Sequence, residues 1–216
     1  MAVVLVGDME FTRPAHIELA PIADRVWWIV GNHDTDRTES WLNLVESDLA
    51  DRQLDGRVVT LPDGTRIAGL GGVFRGKMWS PPAPPVHQSY EAWLESLQSG
   101  WRKRETMFAA ERLKHRSSIF PETVERLAGQ RADILVTHEA PSVHPFGWQP
   151  IDELARRMGA TELYHGHQHD SLPYEGHWER LGFRCWGVGL RGITARGGEV
   201  LVPGEKDDAR QERQVR

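Results

Sequence analysis

Four short strand-like runs in this chain each stop at glycine or threonine followed by aspartate, asparagine or histidine, and that recurrence constrains the fold more than any other feature. Residues 2–6 (AVVLV) end in Gly7-Asp8, and residues 26–30 (VWWIV) in Gly31-Asn32-His33-Asp34. Residues 132–136 (ADILV) end in Thr137-His138, and residues 161–165 (TELYH) in Gly166-His167-Gln168-His169. The first two runs are apolar without alternation, the pattern of a strand buried on both faces. Helical spacing follows each of them, in Ile17, Leu19, Ala20 and Ile22 and then in Trp41, Leu42, Leu44, Val45 and Leu49. Asp36, with Glu39 three residues later, reads as a capping box opening the second helix. Strand–helix alternation of this kind belongs to an α/β fold.

The rhythm breaks once. Residues 57–61 and 65–70 read as strands joined by the turn Pro62-Asp63-Gly64. Residues 71–87 then hold Gly71, Gly72, Gly76 and a proline run at 81–85, so no regular element is expected there. Helical stretches are expected over about 88–98, 101–116 and 121–129, which makes about 71–130 an insertion suited to a lid, with Trp79, Trp93 and Trp101 as its packing core. Arg102, Lys103, Arg104, Arg112, Lys114 and Arg116 outnumber Glu105 and Glu111 there and read as a solvated helix face. Residues 174–203 read as further strands. The expectation is one domain over 1–203 and a charged, frayed tail over 204–216.

A length of 216 residues fits a single domain. The net charge of −5 disfavours a general phosphate-backbone binder of nucleic acid. A lone cysteine, Cys185, cannot form an internal disulfide, and no apolar run approaches the roughly 20 residues that span a bilayer. A soluble cytoplasmic protein is expected.

In open α/β sheets, sites gather at the carboxyl ends of the strands. Asp8, Asn32, His138, His167 and His169 would meet there, a set of oxygen and imidazole donors suited to Zn²⁺, Mn²⁺ or Fe²⁺. A histidine at a strand end is more often structural, but GNHD arises by chance in roughly one such sequence in two thousand, and the ordered set is rarer still. His165, alternating with His167, is expected on the sheet face; His16, His87, His115, His144 and His177 are expected at the surface or in local hydrogen bonds.

The ordered motifs VGD (6–8), GNHD (31–34), THEAP (137–141) and GHQH (166–169) resemble those of the metallophosphoesterase (calcineurin-like phosphoesterase) family. The resemblance implies two mixed β-sheets packed as a sandwich flanked by helices. It implies up to two divalent metal ions (Mn, Fe or Zn), bridged by Asp8. Asn32, His138 and His167 would complete one site and His169 would serve the other. His33 would sit beside the substrate as the general acid, with Asp34 as its support. Apart from the resemblance, Arg75 in GGVFRG follows a glycine-rich strand end and reads either as a contact to the substrate phosphate or as a solvated loop cation. The family's D-x-H motif, which closes the strand before Gly-Asp, is absent. The expected fold therefore lacks its first strand, and the second metal site keeps only Asp8 and His169. The implied activity is hydrolysis of a phosphomonoester or phosphodiester on a small-molecule or protein substrate. The alternative is an N-terminally incomplete or inactive metal-binding relative serving as a regulatory or interaction module.

Overall fold

The computed structural model describes residues 1–97, 105–172 and 174–207. The chain is α/β, with one mixed five-stranded sheet, two smaller sheets and surrounding helices. Strand β1 (Val3–Leu5) lies parallel to β2 (Val26–Trp28), with Val3 opposite Val26. Between them run helix α1 (Ala15–Glu18) and a short turn of helix, and α2 (Thr38–Val45) follows β2. The larger sheet has the order β3 (Val58–Thr60), β4 (Arg66–Leu70), β5 (Ile134–Thr137), β6 (Glu162–His165) and β7 (Arg184–Gly187). The β3–β4 pair is antiparallel and the other pairs are parallel. Helices α3 (Tyr90–Ser96), α4 (Glu105–Lys114), α5 (Pro121–Ala128), α6 (Gln149–Met158) and α7 (Trp178–Leu181), with a ribbon of β8 (Ile193–Thr194) and β9 (Val200–Val202), complete the described elements.

Strand alternation sorts the core into layers. Ile67, Ile134, Val136, Tyr164 and Trp186 leave one face of the large sheet and pack with Ile29, Val4, Val6 and Trp27 from the β1–β2 side. Ala68, Leu70, Leu135, Leu163 and Cys185 leave the opposite face and pack with Leu127, Ile151, Leu154, Met158 and Leu181 from α5, α6 and α7. The outer side of β1–β2 is closed by Ala15, Leu44 and Leu49 over Val26 and Trp28. The two sheets therefore face each other, with helices on both outer sides.

Residues 53–55 fix how the sheets meet. The Leu54 N–H donates to Trp28 O at 2.8 Å and the Gly56 N–H to Gly69 O at 2.9 Å, so this segment bridges β2 and β4. The Asp55 carboxylate accepts the Val30 N–H at 3.1 Å and the Gln53 amide at 2.7 Å. The carboxyl ends of β2 and β4 are thereby brought side by side.

Several expectations change. Strand β1 is only partly buried throughout, because among the described residues it pairs with β2 alone and its other edge is uncovered. Asp36 does not cap α2: Arg37 occupies that position without a side-chain cap, and Asp36 belongs to the preceding helical turn. Residues 175–181 are helical, not stranded, before β7 begins. The segment 71–87 is irregular as expected, and α3, α4 and α5 fall within the expected helical stretches. The insertion does not stand apart from the domain, since the Gly72 N–H donates to Val30 O at 2.7 Å and Phe74, Ile119, Val124 and Leu127 pack in the main core. Trp93 packs with Met78 and Phe120 in a small separate cluster. Trp79 instead sits edge-on to Phe74 at 5.1 Å, against the main core. Trp101, the basic residues Arg102 to Arg104 and the tail beyond Asp207 lie outside the described residues. Gly204–Asp207 do not fray: the Asp207 carboxylate accepts the Gly204 N–H at 2.8 Å and the Ser171 hydroxyl at 3.1 Å. No helix among the described residues is long and apolar enough to cross a membrane.

Burial pushes Asp55 up from an ordinary 3.8 to about 6, against the hydrogen bonds from Gln53, Val30 and Gly71. The folded chain therefore binds this proton more tightly than the unfolded chain does. Charged Asp55 lowers stability above about pH 6, and that penalty fades as the pH falls toward 4. In urea unfolding, the wild type should gain stability relative to Asp55→Asn between pH 7.5 and 4.5; parallel pH profiles for the two proteins would refute this.

Candidate metal centre

Asp8 follows β1, Asn32 follows β2, His138 follows β5 and His167 follows β6, so four strand ends deliver the donors. Asp34 organises the first two loops. Its fully buried carboxylate accepts the N–H groups of Gly31 at 2.7 Å, Asp8 at 2.9 Å and Glu10 at 3.0 Å. Burial raises the Asp34 pKa, and these three bonds work against the rise. The Asp8 carboxylate in turn accepts the His33 N–H at 2.8 Å. Glycine is required where the loops touch: a Cβ on Gly7, whose φ is +97°, would lie 2.5 Å from His138 Nδ1, and one on Gly31 would lie 2.1 Å from Asp8 Oδ1.

Asp8, His138 and His167 each present a ligand atom within 4.8 Å of the others. The His138 and His167 rings are 4.9 Å apart, so the strand ends do bring these residues to one place. His138 Nδ1 lies 2.7 Å from Val6 O, an acceptor, so Nδ1 carries a proton. In the neutral ring Nε2 then holds a lone pair, and it faces Asn32 Oδ1 at 3.2 Å and Asp8 Oδ2 at 3.3 Å. Asp8 Oδ2 is buried without a hydrogen bond. Three electron-rich atoms converge, an arrangement that calls for a cation or a proton between them. Either would satisfy it: burial lowers the His138 pKa, but Asp8 more than offsets this and the net shift is upward. Asp8 itself sits at about 2, because His138 and the His33 N–H outweigh the opposing effect of burial. Burial, then the neighbouring His138, push His167 down to about 4, which keeps its ring neutral and able to ligate.

Backbone strain concentrates here. Asp8, Glu10, His167 and His169 have φ of +58°, +47°, +61° and +60°, and the only other non-glycine residue with positive φ among those described is Arg191. Such conformations cost free energy and persist where the surroundings enforce them, often at functional sites.

His33 lies at the rim, half-exposed, and its Nδ1 is 2.7 Å from Asp36 Oδ2. That bond is the main reason its pKa rises. The support expected from Asp34 comes from Asp36 instead, because Asp34 is committed to backbone amides. Arg75 is half-buried, with Nη2 donating to Ser117 Oγ at 3.1 Å and Nε buried without a partner. Burial lowers its pKa while Asp36, Glu139, Glu111 and Asp8 raise it, so it stands within the field of the site. His169 lies beside His167 in sequence and lowers its basicity, but it stands outside the compact donor group among the described residues. Glu139, next to His138, is pushed up to about 7 by burial and accepts the Phe74 N–H at 3.0 Å.

His165 is fully buried on the sheet face, with Nε2 3.1 Å from the Tyr174 hydroxyl. His115 and His144 are buried and, as expected, engaged in hydrogen bonds. His115 Nδ1 is 2.9 Å from Ser118 Oγ, and His144 Nε2 is 3.4 Å from Asp170 Oδ2. Sequence reasoning missed Asp36, which it placed at a helix cap, and Lys206, which it left in a frayed tail and whose Nζ lies 3.2 Å from His169 Nδ1.

Over 208 residues the chain is 36% identical to a protein of Haemophilus influenzae described as uncharacterized, an alignment covering 94% of this chain and 86% of that one. The chain belongs to that protein's family. No family model matches it.

The crowding at Gly31 gives a direct test of the donor group. Gly31→Ala should displace the Asp8 carboxylate and lower Mn²⁺ affinity by about tenfold or more, with far-UV circular dichroism unchanged. Wild-type affinity in a titration of the variant would remove Asp8 from the ligand set.

Proposed function

We propose that the chain is a metal-dependent phosphoesterase of the calcineurin-like type, hydrolysing a phosphomonoester or phosphodiester in the cytoplasm, and that its two facing sheets are that family's sandwich. The observation that carries this reading is the convergence of Asp8, Asn32 and His138, three acceptor groups from three strand ends, with His167 beside them. The motif order in the sequence and the positive φ at Asp8 and His167 support it.

A divalent ion held by Asp8, Asn32, His138 and His167 would supply Lewis acidity, making water nucleophilic near neutral pH and offsetting phosphoryl charge. The chain's residues do the rest. The Val6 carbonyl fixes the His138 tautomer that leaves Nε2 as a donor to metal. Arg75, with one edge of its guanidinium unpartnered and no carboxylate within salt-bridge reach among the described residues, is suited to a substrate phosphoryl oxygen. His33 donates its Nδ1–H to Asp36, which favours the charged ring; as the imidazolium it also holds a proton on Nε2 that it can give to the leaving oxygen as the P–O bond breaks.

Purified protein loaded with Mn²⁺ should cleave p-nitrophenyl phosphate or its bis ester, and Asp8→Asn should abolish that activity; metal binding without cleavage of either ester would favour the non-catalytic alternative. His33→Ala should reduce kcat by roughly 10²–10⁴ for an alkyl phosphate and far less for p-nitrophenolate, which leaves without a proton. Equal losses on both would assign His33 another role.

A further inference from the structure

Arg75 is held by a hydroxyl where a carboxylate would be the ordinary partner. Its Nη2 donates to Ser117 Oγ at 3.1 Å. Three of the carboxylates whose charge reaches it, Asp36, Glu139 and Glu111, are engaged elsewhere. Asp36 faces His33 Nδ1 at 2.7 Å, Glu139 accepts the Phe74 N–H at 3.0 Å, and Glu111 accepts from the Lys77 ammonium at 2.7 Å. An acidic partner would fix the guanidinium and neutralise it at once. A neutral acceptor fixes it and leaves its charge available to an anion.

Ser117 is itself buried and fixed. Its Oγ lies 2.6 Å from Thr35 Oγ1 and 3.1 Å from Lys114 O, and Thr35 Oγ1 lies 3.1 Å from Asn32 O. Two hydroxyl protons are shared among these three contacts, and at 2.6 Å one oxygen must donate to the other. Whichever donates, Ser117 Oγ keeps a lone pair for Arg75. The backbone locks the same position, because the Val73 N–H donates to Ser117 O at 2.9 Å and the Ile119 N–H to Val73 O at 3.0 Å. Gly72, at a φ of +79°, passes so close that a Cβ on it would lie 2.5 Å from Ser117 O. Thr35 directly follows the GNHD motif, so the hydroxyl pair ties the inserted segment to the loop of Asn32.

We propose that Ser117 is a positioning residue for phosphate: buried against Thr35, it holds the Arg75 guanidinium charged and already oriented for a substrate phosphoryl oxygen. This deepens the phosphoesterase reading and rests on Arg75 as the phosphate contact. Orienting a long side chain in advance removes the cost of ordering it when the anion arrives, so loss of the anchor falls on phosphate affinity.

Calorimetric titration of the Mn²⁺-loaded full chain with inorganic phosphate decides it. Ser117→Ala should weaken phosphate binding by about tenfold, and Arg75→Ala by at least as much. Ser117→Thr, which keeps the hydroxyl, should stay within about threefold of wild type. The double variant should bind no more weakly than Arg75→Ala alone, because Ser117 acts through the guanidinium. A general loosening of the fold would instead add its own loss on top. The Mn²⁺ affinity of Ser117→Ala should stay within about twofold of wild type. Unchanged phosphate affinity in Ser117→Ala, an additive loss in the double variant, or loss of Mn²⁺ in Ser117→Ala would each overturn the proposal. Wild-type phosphate affinity in Arg75→Ala would instead overturn the reading of Arg75 beneath it.

Discussion

Acceptor atoms forced together at the ends of strands are the constraint around which this molecule is built. Asp8 Oδ2, Asn32 Oδ1 and His138 Nε2 stand at hydrogen-bonding distances with no donor among them when the ring is neutral. Repulsion of that kind would open a flexible loop. It persists here because each donor is held from behind: Asp8 by the amide of His33, His138 by the carbonyl of Val6, and the loops themselves by Asp34. The sheets supply the rigid frame, and residues 53–55 fix the spacing between them. Local strain at Asp8 and His167 is the counterpart of that global rigidity.

Much of this was legible in the chain because strands and strand-end residues are adjacent in sequence. Asp8, Asn32, His138 and His167 each sit within a few residues of an apolar run, and the carboxyl-end rule then brings them together. The partners that orient them were harder to read. Asp36 has the spacing of a helix cap relative to Glu39, and nothing in the sequence shows that the helix begins only after Arg37. Helix α6 is legible in the helical spacing of Ile151, Leu154, Ala155 and Met158, and Gly159 takes the left-handed conformation that ends it. The glycines spaced through 174–203 suggest short β segments, yet tertiary packing of Trp178 and Leu181 settles 178–181 as helix. Lys206 was illegible for a different reason: its neighbours are polar, and only the fold shows that Asp207 reaches back to Ser171.

The buried histidines show how one residue type serves separate ends. His165 points away from the donor group, and burial pushes it down to about 4, so it is a neutral hydrogen-bonding element of the sheet. His115, set edge-on to Trp93 at 4.6 Å, ties the inserted helices together. His138 has one nitrogen secured by a carbonyl and the other turned toward a carboxylate and an amide oxygen. Ring environment, rather than histidine count, separates scaffold from chemistry.

The three amides gathered by Asp34 have a collective consequence. Gly31, Asp8 and Glu10 donate to a single carboxylate, which ties the two loops to one anchor. Release of that side chain exposes all three amides at once. The segments after β1 and β2 therefore behave as one opening unit, and the kinetics of their solvent access are those of a single buried anion leaving its cradle.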